Sequence, residues 1–169
     1  MAKLKCIVDT SAIISLAATN KLELASKIFS FVAPLRVKEE LTEICNIEDE
    51  LGDIAKIVLN FSLIEFINLD EEFRNKDGEI EVINLANTMG ADIVVMDDIK
   101  ARKKLQSKCN VQINFSPFIL YVLYYNGFLS YEESLESIER MKNKRHWEEN
   151  LVIEYAKMLF AKENEDGGK

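Results

Sequence analysis

The segment Lys3 to Ala18, KLKCIVDTSAIISLAA, constrains this chain more than any other, because a short apolar strand pattern stops at a carboxylate and restarts as a helix. Leu4, Cys6, Ile7 and Val8 read as a buried strand. Asp9, Thr10 and Ser11 then supply turn and N-cap chemistry before Ala12, Ile13, Ile14, Leu16 and Ala17 take up helical spacing. In an open α/β sheet the carboxyl ends of the strands are where ligands bind, so an aspartate at that point is a candidate for more than capping. Three further acidic positions repeat the arrangement at the ends or starts of apolar elements: Glu40, Glu79 with Glu81 nearby, and the pair Asp97-Asp98.

The remaining pattern alternates strands and helices. Leu22, Leu24, Ala25, Ile28 and Phe29 predict a second helix over 21–30, followed by a short extended piece at 32–35. Helices are expected from Val37 and over 48–60, a strand over 63–69, a polar connection over 70–77, and a helix over 79–89 stopped by Gly90. Residues 92–96 are nearly all apolar, as in a strand buried on both faces of a parallel sheet. Asp98 is placed to cap a basic helix reaching Lys108, and 111–113 forms the last strand. Ser116-Pro117 reads as a helix start for 118–126, with Gly127 as stop, and two more helices are expected over 130–143 and 146–162. Strands separated by helices imply an α/β three-layer sandwich: a mostly parallel central sheet with helices on both faces, plus C-terminal helices.

The 169 residues suffice for one core, and no Pro/Gly/Ser-rich linker divides them. No apolar run approaches the roughly 20 residues that span a bilayer, and the strand pattern begins without a signal-peptide-like segment, so a cytoplasmic protein with no membrane partner is expected. Cys6, Cys45 and Cys109 lack C-x-x-C spacing and the chain has one histidine, which disfavours zinc. The net charge of -8 runs against a nucleic-acid partner. Its distribution softens that objection: Lys100, Arg102, Lys103, Lys104 and Lys108 cluster, as do Lys142, Lys144, Arg145 and His146. Such runs serve as solvated helix faces as readily as phosphate tracks.

Carboxylates that converge with no Arg or Lys among them repel one another, so the cluster must be protonated or bridged by a cation. All-oxygen ligation suits Mg²⁺ or Mn²⁺, and a hard divalent ion that keeps several waters is suited to activating water and neutralising a phosphodiester. Glu79 shares a helix face with Val82 and Ala86, whereas Glu81 points about 200° round the helix. Glu79 is therefore the preferred ligand.

Four segments, IVDTSAIISLA at 7–17, VKEEL at 37–41, DGEIEVINLA at 77–86 and ADIVVMDDIKARKKL at 91–105, resemble the signature segments of PIN-domain ribonucleases in order and spacing across residues 3–126. The resemblance implies a metal-dependent endoribonuclease leaving 5′-phosphate and 3′-hydroxyl ends; many relatives are VapC-type toxins paired with an antitoxin. By position it makes Asp9, Glu40 and Glu79 the first three catalytic acids and Asp97 or Asp98 the fourth. Asp9, Glu79, Asp97 and Asp98 are the implied metal ligands. Thr10 and Ser11 match hydroxyl positions that orient Asp9 or a metal-bound water, and Ser116 or Asn114 matches a further polar position. Lys100, Arg102, Lys103 and Lys104, which project over more than one face of the helix after Asp98, are the RNA-binding candidates, and the resemblance at Lys100-Ala101-Arg102 points the same way.

The expected organisation is a PIN-like nuclease domain over 1–128, a helical extension over 129–163 packed on it, and a tail over 164–169. The extension is longer than that of the compact toxins and is similar to the tail of a prokaryotic subgroup of PIN proteins. A haloacid-dehalogenase-type phosphatase would need an aspartate where Ser11 stands, and a receiver domain would need its paired acids early rather than late. A catalytically silent PIN fold acting as an RNA- or protein-binding scaffold is the alternative from another class, and the intact acids count against it. Tyr121, Tyr124, Tyr125, Phe128 and Trp147 give the C-terminal region enough apolar surface for either core packing or a homodimer.

Overall fold

The computed structural model describes residues 2–166, with side chains to residue 161. Five strands, β1 (Leu4–Val8), β2 (Phe29–Pro34), β3 (Ile64–Ile67), β4 (Ile93–Val95) and β5 (Ile113–Asn114), form one parallel sheet in the order β3-β2-β1-β4-β5. The chain first builds outward from β1 through β2 to β3, then crosses back to lay β4 on the other side of β1. That reversal between β1 and β4 opens a crevice at the carboxyl edge of the sheet, where side chains of both strands' following loops meet.

The connections are helical: α1 (Thr10–Ala18) and the short α2 (Leu22–Ala25) follow β1, α3 (Leu35–Cys45) and α4 (Glu50–Asn60) follow β2, α5 (Gly78–Met89) precedes β4, and α6 (Ile99–Leu105) follows it. Right-handed crossovers place α5 and α6 on the face opposite α1, α3 and α4. After β5 come α7 (Pro117–Tyr125), α8 (Tyr131–Lys144) and α9 (Leu151–Asp166), which close on α1 and on one another. Phe29, Phe31, Ile7, Leu16, Met96 and Ile113 are among the side chains fully sealed in the core, and Phe160 of α9 packs against Tyr121, Tyr124 and Tyr131. Tyr121 and Tyr124 are thus partly spent on packing, while Tyr125 and Phe128 stay exposed. No helix among the described residues is long and apolar enough to cross a membrane.

The α/β sandwich with C-terminal helices is as the strand and helix pattern implied. Several boundaries shift by one or two residues, the last strand from 111–113 to Ile113–Asn114 among them, and four differences bear on the site and its surroundings. The second helix stops at Ala25, and Phe29 and Ser30 belong to β2: Phe29 and Phe31 are buried while Ser30 between them is exposed, a two-residue alternation that the sheet imposes on residues whose spacing also fits a helix. The basic helix ends at Leu105 and tightens into a 3₁₀ turn over 106–108. Ser116 stands at the N-cap of α7 as expected but makes no side-chain capping hydrogen bond, its hydroxyl being engaged elsewhere.

The fourth difference concerns residues 146–150, expected as the first turn of the last helix. Here α8 ends in a Schellman turn: the His146 amide donates to Asn143 O at 3.2 Å and the Trp147 amide to Lys142 O at 2.9 Å, with His146 in the left-handed region at φ 53°. The chain then runs as a connector until Asn150, whose side chain accepts from the Val152 amide at 2.7 Å and starts α9. Helix α9 continues to Asp166, so of the tail expected over 164–169 the first three residues are helical and 167–169 lie outside the described residues.

Candidate active site

Every helix that follows a strand in this sheet begins at its carboxyl edge, so helix starts and strand ends share one rim. Asp9 lies one residue beyond β1 and caps α1, its Oδ1 accepting from the Ala12 amide at 2.7 Å. Val8 is in register with Val95, and the Asp9 amide donates to Val95 O at 3.2 Å, which brings Asp9 beside the end of β4. Asp97 follows two residues after Val95. Val95 is itself in register with Asn114, and the same register carried two places further sets Ser116 beside Asp97. The Ser116 amide donates to Asp97 Oδ1 and its hydroxyl to Oδ2, both at 2.8 Å, and Ser15 of α1 adds a third hydrogen bond.

Asp9 and Asp97 are both buried, at 6% and 5% exposure, and face a cleft of about 530 Å³. Glu79 reaches it from the first turn of α5, Glu40 from α3, and Asp98 from the N-cap of α6, where it accepts from the Ala101 amide at 2.8 Å. The two aspartates of the doubled pair thus differ: Asp97 is sealed and fixed by serines, Asp98 is exposed. Glu81 points elsewhere, accepting from the Asn75 amide at 2.8 Å. Glu40 accepts from Thr10 Oγ1 and has Arg36 Nε 3.4 Å from its Oε1. Gly78 makes room for it, since a Cβ there would stand 2.7 Å from Glu40 Oε1.

The electrostatics follow from this crowding. Burial first, and then the negative charge of Asp97, push the Asp9 carboxyl well above the ordinary aspartate range; Glu79 and Asp98 add to it. Asp97 is also raised by burial, with the Ser116 and Ser15 hydrogen bonds and Arg145 opposing. Glu79 is pushed up to about 7, first by its hydrogen bond with Asp77 and then by burial, while the same contact lowers Asp77.

A family model for the PIN domain matches residues 5–161. The chain belongs to the PIN-domain family. No curated protein matches its sequence. PIN domains are generally nucleases, and the cleft of this PIN domain holds together the acids that its sequence segments singled out: Asp9, Glu40, Glu79, Asp97 and Asp98.

Several residues stand differently from expectation. Thr10 and Ser11 line the cleft with their hydroxyls on partners other than Asp9: Thr10 donates to Glu40, and Ser11 Oγ accepts from Arg145 at 3.2 Å. Asn114 turns away, its Oδ1 3.3 Å from the Tyr155 hydroxyl. Of Lys100, Arg102, Lys103 and Lys104, only Lys100 lines the cleft. Arg102 folds back as a staple, donating from Nε to Ile113 O at 2.8 Å with its guanidinium 4.6 Å from the Phe115 ring centroid. Lys104 lies 3.9 Å from Asp77, in a smaller hollow that shares Glu79, Asp98 and Lys100 with the cleft, and Lys103 is exposed.

The largest correction is that the acids do not converge without a cation. Arg145, from the end of α8, lines the cleft and feels the charges of Asp97 and Asp9; Trp147 and Asn150 complete that wall. The sequence places Arg145 in a basic cluster between two helical patterns and 146–150 in the first turn of the second, and nothing in the run RHWEEN marks a cleft wall. Ser15 was also missed, though a lone serine in the apolar run of α1 marks a buried polar partner.

No group of three or more His, Cys, Asp or Glu side chains among the described residues forms a ready-made metal cluster. The donor chemistry nonetheless fits a hard divalent ion, because Asp9, Asp97, Glu79 and Asp98 line one cleft and offer only oxygens, and the charges of the other three each raise the Asp9 carboxyl. A Mg²⁺ or Mn²⁺ ion keeps several waters and needs only one or two direct carboxylates.

Proposed function

We propose that this PIN domain is a divalent-metal-dependent endoribonuclease that hydrolyses RNA phosphodiester bonds to 5′-phosphate and 3′-hydroxyl ends. The supporting observation is the pairing of Asp9 and Asp97, buried and fixed by hydrogen bonds on either side of the strand-order reversal, with Glu79 across the same cleft. Such desolvated like charges are costly unless a cation or a proton offsets them.

Asp9 and Asp97 would hold the ion, with Glu79 and Asp98 at its exposed side. When bound, Mg²⁺ or Mn²⁺ supplies Lewis acidity toward water and neutralises charge on the phosphodiester. The protein's own part is positional. Ser116 and Ser15 fix Asp97, the Ala12 amide fixes Asp9, and Thr10 with Arg36 holds Glu40 at the wall. Glu79, pushed up to about 7 in the absence of an ion, would give up its proton as the ion enters at the mouth of the cleft. Lys100 gives an acidic protein a local positive charge beside its site.

The test is cleavage of single-stranded RNA with Mg²⁺ or Mn²⁺, followed by end-group analysis. The proposal expects products that carry 5′-phosphates and cleavage that stops in EDTA. EDTA-insensitive cleavage, or 2′,3′-cyclic phosphate ends, would contradict it. A toxin role with a protein antitoxin is the narrower form of the same proposal. It expects growth arrest on expression of the wild type and none with Asp9→Asn.

A further inference from the structure

Arg145 is placed in the cleft by contacts that do not involve the acids. Helix α8 is fastened to the body by Arg140 Nε, which donates to Ala18 O at 2.9 Å, and by the ion pair of Lys144 with Glu50. The Schellman turn then ends the helix with Arg145 directed inward, its guanidinium 5.2 Å from the Trp147 ring centroid and one terminal nitrogen on Ser11 Oγ. Arg145 Nε is buried without a hydrogen-bond partner. A guanidinium has five N–H donors in a planar fork, and here one is spent on a neutral hydroxyl while a buried one is left unused. A buried unpaired donor is costly, and a structure that retains one beside a cleft is suited to a ligand that pairs with it.

That ligand must be an anion that enters among carboxylates. A phosphate group of RNA fits, because it accepts several donors from the guanidinium fork and brings its own affinity for a divalent ion on the far side. Resting on the nuclease reading above, we propose that Arg145 binds a phosphate of the RNA in this cleft, opposite the carboxylate-held ion, and that its charge opposes metal entry until that phosphate arrives. The C-terminal helices thereby complete the site rather than merely extend the domain. Metal and RNA binding then become mutually favourable, since each offsets a charge that hinders the other.

The consequence is a pair of effects with opposite signs. Arg145→Gln removes a positive charge near the ion and a donor fork for the phosphate. In calorimetric titrations without RNA, Mn²⁺ binding by Arg145→Gln is expected to tighten roughly three- to tenfold. In fluorescence anisotropy with a labelled single-stranded RNA oligonucleotide and Ca²⁺ as the ion, RNA binding is expected to weaken roughly tenfold or more. Arg145→Lys keeps the charge but not the fork, so its Mn²⁺ affinity should stay near wild type while RNA binding falls in between.

Unchanged RNA binding in Arg145→Gln, with wild-type protein that binds and cleaves RNA, would overturn this role and leave the nuclease reading intact. Weakening of both ligands together would assign Arg145 to scaffold support and overturn it as well. If Arg145→Gln does not fold, Arg145→Lys decides: wild-type RNA affinity there contradicts the proposal. Failure of the wild type to bind RNA at all would remove the nuclease reading and this role with it.

Discussion

Ser116 holds both carboxylate oxygens of Asp97, its amide on Oδ1 and its hydroxyl on Oδ2, each at 2.8 Å. The arrangement follows from strand register, since β4 and β5 run in parallel and their following residues stay paired beyond the sheet. It fixes the buried acid in one orientation. Ser116→Ala keeps the amide contact and loses the other, a charge-assisted hydrogen bond worth about 1–2 kcal/mol. We expect a lowered melting temperature and reduced kcat with KM for RNA little changed. A variant with wild-type kcat would show that the amide alone orients Asp97.

A second prediction concerns Asp9. Its carboxyl titrates well above the ordinary range in the folded chain and near it in the unfolded chain, so the folded state binds this proton more tightly. The associated stability is present below the unfolded value and is lost as pH rises through the folded one. Asp9→Asn cannot ionise and retains a good helix cap. In EDTA at neutral pH it should be more stable than wild type, with the gap closing toward about pH 4. Melting curves across that range check this, and a gap independent of pH would contradict the cause assigned here.

The proton on Glu79 makes a third prediction. With its titration near 7, set first by the contact with Asp77 and second by burial, metal binding at pH 6 must displace a proton that is already absent at pH 8. Mn²⁺ affinity should therefore rise with pH through about 7, and the raised Asp9 carboxyl acts in the same direction. Calorimetry at pH 6 in buffers of different protonation enthalpy should show proton release, diminished in Glu79→Gln. Buffer-independent heats in the wild type would exclude Glu79 from the metal site.

Much of this site was legible in the sequence because parallel α/β topology converts position into location. An acid directly after a buried strand, as at Asp9 and Asp97, has nowhere to go but the carboxyl rim, and Glu79 in the first turn of a helix leading into a strand faces the same rim. Arg145 and Trp147 were not legible for the opposite reason. Their place depends on a left-handed residue, His146, in a position usually filled by glycine: the spacing ends α8 near residue 143, but nothing local says that 146–150 stay out of the next helix and set Arg145 in the cleft. Arg102 illustrates a further limit: a basic helix pattern does not say which cation folds back over an aromatic ring, and here Phe115 claims it.

Gly78 offers a test of Glu40 that avoids mutating the acid. At the first position of α5 an alanine is acceptable to the backbone, but its Cβ would meet Glu40 Oε1, the movable end of a side chain. The stability of Gly78→Ala should stay within about 1 kcal/mol of wild type, because helix propensity offsets the shift. If Glu40 belongs to the catalytic wall, RNA cleavage should fall at the same time. Unimpaired cleavage would place Glu40 outside the machinery.

The most direct measurement is the rate of single-stranded RNA cleavage with saturating Mn²⁺ by wild type and by Asp97→Asn, with folding of both verified by circular dichroism. If Asp9 and Asp97 hold the ion that drives hydrolysis, the substitution should lower the rate by roughly a thousandfold or more, about 4 kcal/mol in the barrier. A folded Asp97→Asn protein that cleaves RNA at the wild-type rate would contradict the account.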